Sequence, residues 1–178
     1  MKKIIFLGLT LISFQTFALG QKIPGHTPNQ EPIPKFYEVV PHKISRSAQP
    51  TEAGFKKLQA LGFKTILDLR DEDPAQITRE GEIVQSLGMN FISVPLDGFF
   101  APAEKDMNQI QNILNDETLQ PILIHCKHGE DRTGLSIGLY RVFTQKVAVK
   151  AAKKEMLQLG FHKALLGLNH YFDTHAKN

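Results

Sequence analysis

Short apolar runs alternate with helical patterns along most of this 178-residue chain. The apolar runs predict strands at residues 36–40, 63–69, 91–96 and 121–124. Helical spacing predicts helices at 51–61, 74–87, 107–114, 133–143, 147–159 and 162–175. In the first of these helices, Phe55, Leu58 and Leu61 lie on one face and are expected to be buried. Strands separated by helices predict an α/β domain with a mostly parallel central sheet flanked by helices, in which ligands bind beyond the carboxyl ends of the strands.

Length and composition restrict the class of protein. A chain of 178 residues fits one domain, and 42% hydrophobic with 22% charged residues is typical of a globular protein. The formal net charge is only +3, and two of the 21 basic residues are Lys2 and Lys3 near the N-terminus, so nothing indicates nucleic-acid binding. Cys126 is the single cysteine, which excludes an internal disulfide and multi-cysteine metal sites. We expect a monomer.

Residues 1–20 have the layout of a secretory signal peptide. Two lysines precede an apolar run over residues 4–14, and small residues follow near the end of the segment. That run is shorter than the roughly 20 residues that span a bilayer, so we expect export to the periplasm or the medium and no stable membrane insertion. Residues 21–34 contain four prolines and predict a weakly ordered lead-in, after which the functional domain occupies residues 35–178.

The segment over residues 122–134 joins a buried strand, a loop and the start of a helix, with the sequence Ile-Leu-Ile-His-Cys-Lys-His-Gly-Glu-Asp-Arg-Thr-Gly. Such a loop turns successive backbone N–H groups inward and, with the helix dipole, forms a cradle for a tetrahedral oxyanion. Arg132 adds a charged fork that can grip two oxygens, and Gly129 allows the loop to curl around the ligand. This positive field favours the thiolate form of Cys126, a nucleophile toward phosphorus, and the hydroxyl of Thr133 can bond the sulfur or cap the helix.

The pattern His-Cys-x5-Arg-Thr-Gly resembles the signature of the cysteine-based protein tyrosine phosphatase superfamily, in its dual-specificity-like branch. Six positions carry the resemblance: His125, Cys126, Gly129, Arg132, Thr133 and Gly134. It implies a dual-specificity-phosphatase-like fold and a phosphocysteine intermediate on Cys126, without metal or organic cofactor. It further implies that Arg132 and the loop amides hold the phosphoryl oxygens. Thr133 helps the thiolate to leave, and His125 tunes the cysteine from behind.

A phosphate ester also needs an acid to protonate its leaving oxygen. The family keeps an aspartate roughly thirty residues upstream, and Asp97 lies 29 residues before Cys126, directly after a predicted strand. Asp131, immediately before Arg132, is the competing candidate. We favour Asp97 and keep Asp131 as the alternative.

Substrate choice depends on weaker signals. Lys127 and His128 add cationic capacity beside the nucleophile, which favours an inositol polyphosphate or phosphoinositide, while Glu130 and Asp131 offset that charge unless they point outward. The sequence therefore predicts a phosphorylated small molecule as substrate, with a phosphopeptide of a tyrosine or dual-specificity phosphatase as the alternative.

Two arginines outside the signature are further candidates for substrate binding: Arg46 and Arg70, the latter at the end of a predicted strand. A carboxylate-paired or solvated arginine is the competing interpretation of both. A non-catalytic phospholigand-binding module and a rhodanese-type sulfurtransferase remain as other classes of function. A metal site of His125, Cys126 and His128 is not expected, because adjacent strand residues point in opposite directions.

Overall fold

A computed structural model describes residues 31–177 of the chain. The predicted signal peptide and most of the predicted lead-in, residues 21–30, lie outside these described residues, as does residue 178. Within the described part, no helix is long and apolar enough to cross a bilayer.

Five strands form one sheet in the order β1-β2-β5-β3-β4. The strands are β1 (Tyr37–Val40), β2 (Ile44–Ala48), β3 (Thr65–Asp68), β4 (Asn90–Ser93) and β5 (Ile122–Cys126). Only the edge pair β1–β2 is antiparallel, and the other three pairs are parallel. The predicted α/β domain with a mostly parallel central sheet is therefore confirmed.

Six α-helices cover the sheet within residues 31–177: α1 (Glu52–Ala60), α2 (Pro74–Ser86), α3 (Glu104–Asn115), α4 (Asp131–Phe143), α5 (Val149–Gln158) and α6 (Leu166–His175), with a 3-10 turn at Glu117–Leu119. Helix ends follow local chemistry. Thr51 caps α1 through a hydrogen bond from the Gly54 N–H, and Asp73 caps α2, which begins at Pro74.

The sheet separates two apolar clusters. Helices α1 and α2 pack with Ile66 and Leu123 on one face. Helices α3 to α6 pack on the other face, where β5 contributes Ile122, Ile124 and Cys126. Alternation along β5 thus places Cys126 on the face covered by α4, whose residues from 132 to 142 are all buried.

Two features of the fold differ from the sequence-based expectation. Strand β2 is absent from the predicted set, although all five of its residues are buried. Leu61, expected in the core, is 60% exposed because α1 ends at Ala60 and Leu61 follows as the residue beyond its last turn. The central position of β5, between β2 and β3, fixes where the signature loop lies.

Candidate active site

Cys126 ends β5, the middle strand of the sheet, and is 2% exposed. Its neighbour in the ladder is Ala48, the last residue of β2. The loop of residues 127–130 follows directly and leads into α4 at Asp131. The sulfur therefore lies at the carboxyl edge of the sheet and at the N-terminus of a buried helix, where the helix dipole favours an anion.

Four consecutive carbonyl groups of this loop, those of residues 127–130, point outward to protein donors. The donors are the backbone N–H of Gln49, the Lys35 ammonium, the Arg46 guanidinium and the backbone N–H of Gly134. In a trans peptide the C=O and the following N–H point in opposite directions, so the N–H groups of residues 128–131 face the concave side. Within residues 31–177, none of the N–H groups of 128–133 donates to a protein acceptor. The loop is thus a ring of available amide donors beside Cys126.

Gly129 permits the close packing of this loop against β2. Its φ is +70°, and a Cβ built on it would lie 2.4 Å from the Ser47 carbonyl oxygen and 2.5 Å from the Ala48 nitrogen. Only glycine fits a position that combines left-handed backbone with contact to a neighbouring strand. Gly134 is also buried, and a Cβ there would lie 3.3 Å from the Phe161 ring.

Arg132 is buried and held at one end of its guanidinium by two carboxylates. Nη1 donates to Asp71 at 2.9 Å and to Glu72 at 2.6 Å, and Nη2 donates to the other Glu72 oxygen at 2.9 Å. Burial lowers the pKa of Arg132, but the hydrogen bond to Glu72 and the negative charge on Cys126 outweigh it and raise that pKa. The hydrogen bond from Arg132 in turn holds the pKa of Glu72 well below its usual range. The side edge of the guanidinium, formed by Nε and the second hydrogen of Nη2, makes no bond to the described residues. That edge can grip two phosphoryl oxygens.

Asp97 lies exposed on the segment that follows β4, beside Arg132. A Cβ on the next residue, Gly98, would lie 4.0 Å from the central guanidinium carbon of Arg132. Oδ1 of Asp97 accepts the backbone N–H of Phe100 at 2.8 Å and of Phe99 at 2.6 Å, and these bonds lower the pKa of Asp97. The second oxygen, Oδ2, makes no hydrogen bond within residues 31–177 and is the atom that could carry a proton.

Asp131 and Glu130 point away from the ring of amides. Asp131 accepts the His162 backbone N–H at 2.8 Å, and both carboxylate oxygens lie 3.1 Å from the His162 ring nitrogen. Glu130 pairs with Lys35 at 2.7 Å. Both carboxylates therefore point away from the concave side, and Asp131 anchors the segment before α6 through His162.

Of the remaining side chains of the signature, those of the loop are exposed and that of Thr133 is buried. Lys127 and His128 are exposed, and in the described part of the chain their side chains make no hydrogen bond or ion pair. The hydroxyl of Thr133 is buried on α4 and has no hydrogen-bond partner within residues 31–177. It lies one residue after Arg132, in the first turn of α4 behind the loop.

The structure brings neither Arg46 nor Arg70 to the concave side. Arg70 is buried on the opposite face of the sheet, where Nη2 lies 2.7 Å from both Asp68 and Glu80. It is a carboxylate-paired arginine, with no exposed donor edge for a substrate. Arg46 is buried behind the loop and donates to the carbonyls of Gly129 and Glu130.

His125 belongs to the buried charge cluster that also holds Arg70. Its Nε2 lies 2.8 Å from Glu80 Oε1, although this contact lacks the alignment of a hydrogen bond. Asp68, Glu80 and His125 are close enough together to suggest a metal site, but the Arg70 guanidinium already binds both carboxylates. A second such group, Glu130, Asp131 and His162, is likewise already paired.

Sequence reasoning missed the residues that position the loop and its arginine. These are Lys35, Asp71, Glu72 and His162. One signal was available for two of them: acidic residues 71–73 come shortly after a strand, at the carboxyl edge of the sheet, where the arginine of the signature must also lie.

Comparisons with known proteins agree with this geometry. Residues 26–167 match the family model described as "DSP-PTPase phosphatase fused to NAD+ Kinase". The dual specificity protein phosphatase TpbA of Pseudomonas aeruginosa is 29% identical over 132 residues, which cover 74% of this chain and 57% of TpbA. The inositol diphosphatase DSP4 of Arabidopsis thaliana is 30% identical over 112 residues, covering 61% and 56% of the two chains. The chain thus spans little more than half the length of these curated relatives.

Solved structures show the same fold. The catalytic domain of the PP-IP phosphatase SIW14 from S. cerevisiae, in complex with citrate, has a TM-score of 0.71 and 27% identity, covering 82% of this chain and 87% of that one. The crystal structure of P. aeruginosa TpbA has a TM-score of 0.68 over 89% and 91% of the two chains, and at 24% identity this similarity concerns the fold alone.

Proposed function

This chain belongs to the DSP-PTPase family of cysteine-based phosphatases, and from that premise we propose that it hydrolyses phosphate monoesters through a phosphocysteine on Cys126. One observation carries the proposal. The four outward carbonyls of residues 127–130 leave a ring of amide donors between the Cys126 sulfur and the open edge of Arg132. Such a ring stabilises the extra negative charge of the phosphoryl transition state, which is the main task in phosphoryl transfer.

The proposed reaction has two steps. The Cys126 thiolate attacks phosphorus, the bond from phosphorus to the ester oxygen breaks, and Asp97 delivers its proton to that leaving oxygen. Water then attacks the phosphocysteine while Asp97 takes a proton from it, and the S–P bond breaks to return the thiolate and inorganic phosphate. In this second step the buried hydroxyl of Thr133, in the first turn of α4, donates to the departing sulfur.

The favoured substrate class is an inositol polyphosphate or phosphoinositide. Lys127 and His128 are exposed beside the amide ring, and the two carboxylates of the loop are turned outward to Lys35 and His162. The loop side chains that flank the scissile phosphate are therefore basic, which suits a substrate with further phosphate groups. A relative named as an inositol diphosphatase and a neighbour named as a PP-IP phosphatase agree with this choice.

A different observation favours phosphotyrosine as the second candidate. Phe99 and Phe100 are 71% and 72% exposed, and they lie two and three residues after the proposed acid Asp97. The leaving group must lie against this segment, because its oxygen receives the proton from Asp97. An aromatic leaving group would bury these rings, whereas a charged inositol ring would not. The relative TpbA is named as a dual specificity protein phosphatase.

Release of inorganic phosphate from a panel of substrates tests the proposal. The panel holds inositol hexakisphosphate, a diphosphoinositol phosphate, a phosphoinositide in micelles and a phosphotyrosine peptide, with Cys126→Ser as the inactive control. We expect release from at least one class and none by the Cys126→Ser variant.

Two paired variants separate the classes. The Lys127→Ala, His128→Ala pair should weaken only the inositol substrates, and the Phe99→Ala, Phe100→Ala pair only the phosphotyrosine peptide. Binding of phosphorylated compounds without turnover would instead identify a non-catalytic module.

A further inference from the structure

Arg46 is a buried cation without a carboxylate partner. It lies in β2 and is 2% exposed. The described residues contain three other buried arginines, Arg70, Arg132 and Arg141, and each forms an ion pair. No Asp or Glu oxygen of residues 31–177 lies within 4.0 Å of the Arg46 guanidinium. Buried charges are normally paired because desolvation is costly, so the charge that balances Arg46 needs to be identified.

The register of the sheet places Arg46 behind the loop and beside the nucleophile. Arg46 is paired with Ile124 and Ala48 with Cys126, so Arg46 and Cys126 project from the same face of the sheet. Nη2 of Arg46 donates to the carbonyl oxygens of Gly129 and Glu130. The guanidinium therefore lies on the outer side of the loop, opposite the side that faces the substrate.

The electrostatic environment of Arg46 indicates which anion it serves. Burial lowers the pKa of Arg46 to about 10, and the negative charge on Cys126 is the largest influence that opposes this change. Electrostatic attraction acts on both groups, so the positive charge of Arg46 and a negative charge on the Cys126 sulfur stabilise each other.

The other buried ionisable groups near Cys126 are already engaged with one another, and the basic loop side chains Lys127 and His128 are exposed to solvent. Arg132 is paired with Asp71 and Glu72, and His125 faces Asp68 and Glu80 across the sheet. Around Arg46 itself, Glu130 pairs with Lys35 and Glu155 with Arg141, while Tyr37 is its neighbour on β1. Of the buried arginines within the described part of the chain, Arg46 alone has no carboxylate partner.

We propose that Arg46 is a positioning residue with two roles: it holds the Gly129 and Glu130 carbonyls outward, and its charge balances the Cys126 thiolate from behind the loop. The proposal rests on the proposed function, because it explains how that nucleophile is kept ionised and how the amide ring is kept open. It gives Arg46 a place behind the loop rather than among the groups that touch substrate.

Three variants test the two roles separately. Arg46→Gln removes the charge. Arg46→Lys keeps the charge but cannot reach two carbonyls with a planar fork. Arg141→Gln is the control, since it removes a buried arginine that is paired with Glu155. The readouts are the rate of Cys126 alkylation by iodoacetamide across pH and the affinity for vanadate. Neither readout needs turnover, so a failure of the proposed function would be seen separately, as no phosphate release by the wild type.

In Arg46→Gln, half-maximal alkylation should move to higher pH by roughly one unit, the effect of losing one nearby opposite charge. Arg46→Lys should keep the wild-type alkylation profile but bind vanadate about tenfold more weakly, since the amides are no longer fixed. Arg141→Gln should leave both readouts unchanged.

Two results would overturn the proposal. One is a folded Arg46→Gln protein with the wild-type alkylation profile. The other is an Arg46→Lys protein that binds vanadate as tightly as the wild type. If Arg46→Gln does not fold, the Arg46→Lys result decides alone.

Discussion

Replacing Gly129 with alanine should damage the loop far more than its single added methyl group suggests. The φ of +70° costs an alanine about 1–2 kcal/mol relative to glycine. The new Cβ would also lie 2.4 Å from the Ser47 carbonyl oxygen and 2.5 Å from the Ala48 nitrogen, both backbone atoms of β2 that cannot move alone. Overpacking of this kind adds about 1–3 kcal/mol. We expect Gly129→Ala to lower the free energy of unfolding by about 2–5 kcal/mol in total.

Gly62 provides a matched control for the conformational part of this cost. Its φ is +83°, and a Cβ built on it meets nothing within 4 Å. Gly62→Ala should therefore lose only the about 1–2 kcal/mol of the left-handed conformation. Urea unfolding of both variants, followed by circular dichroism, gives the difference, which isolates the contact with β2.

The loop could also avoid the contact by moving away from β2, and activity would reveal this. Movement of Gly129 would break its hydrogen bond with Arg46 and turn the amides away from the substrate. A Gly129→Ala protein that is stable but releases phosphate slowly therefore still agrees with the reasoning. A Gly129→Ala protein as stable as Gly62→Ala and with wild-type activity would refute it.

Three further predictions concern other parts of the molecule. Asp97→Asn should lower kcat for an alkyl phosphate by about 10²–10⁴-fold. The same variant should lower kcat for p-nitrophenyl phosphate only slightly, because a good leaving group needs no acid. Equal losses of kcat for both substrates, or larger losses in Asp131→Asn than in Asp97→Asn, would contradict this prediction. Because the pKa of Glu72 is held below its usual range, the stability that Glu72 provides is complete above the ordinary value of about 4.3 and is lost as pH falls toward the folded value. Urea unfolding from about pH 7 to 3 should thus show a shallower decline in Glu72→Gln than in the wild type, and parallel declines would argue against the ion pair with Arg132. Mass spectrometry of the exported protein should find Gln21 as the first residue, and an intact N-terminus would show that residues 1–20 are not a cleaved signal.

The positions of Cys126, Arg132 and the amide ring could be predicted from the sequence because these residues are contiguous. Residues 122–134 contain the strand, the loop and the start of the helix, so local structure alone places Cys126 opposite Arg132. The alternation of apolar runs also predicted β1, β3, β4 and β5, because those strands are marked by apolar side chains.

Strand β2 could not be found in the same way. Its sequence is Ile-Ser-Arg-Ser-Ala, and the side chains of Ser45, Arg46 and Ser47 are buried although they are polar. Patterns of hydrophobicity detect a strand only where burial selects apolar residues. Here the guanidinium of Arg46 is satisfied by carbonyls of the loop, 83 and 84 residues later in the chain, and no local pattern carries that information.

The same long-range contacts explain how a loop with two carboxylates can bind an anion. From the sequence, Glu130 and Asp131 counted against a cationic site. In the structure, each carboxylate has a partner distant in the chain: the Lys35 ammonium for Glu130, and the backbone N–H and ring of His162 for Asp131. The carboxylates of Asp71 and Glu72 are similarly turned to one end of the Arg132 guanidinium.

All four carboxylates therefore have partners outside the concave side, and three of them, those of Glu130, Asp71 and Glu72, hold a group that positions a donor of the site. Lys35, for example, bonds Glu130 and the His128 carbonyl together, so the ion pair that removes a carboxylate also fixes a peptide of the loop. Removing such a carboxylate should weaken oxyanion binding, although it raises the net positive charge of the site. Glu130→Gln provides the measurement: weaker vanadate binding agrees with this role in orientation, and tighter binding would show that net charge dominates.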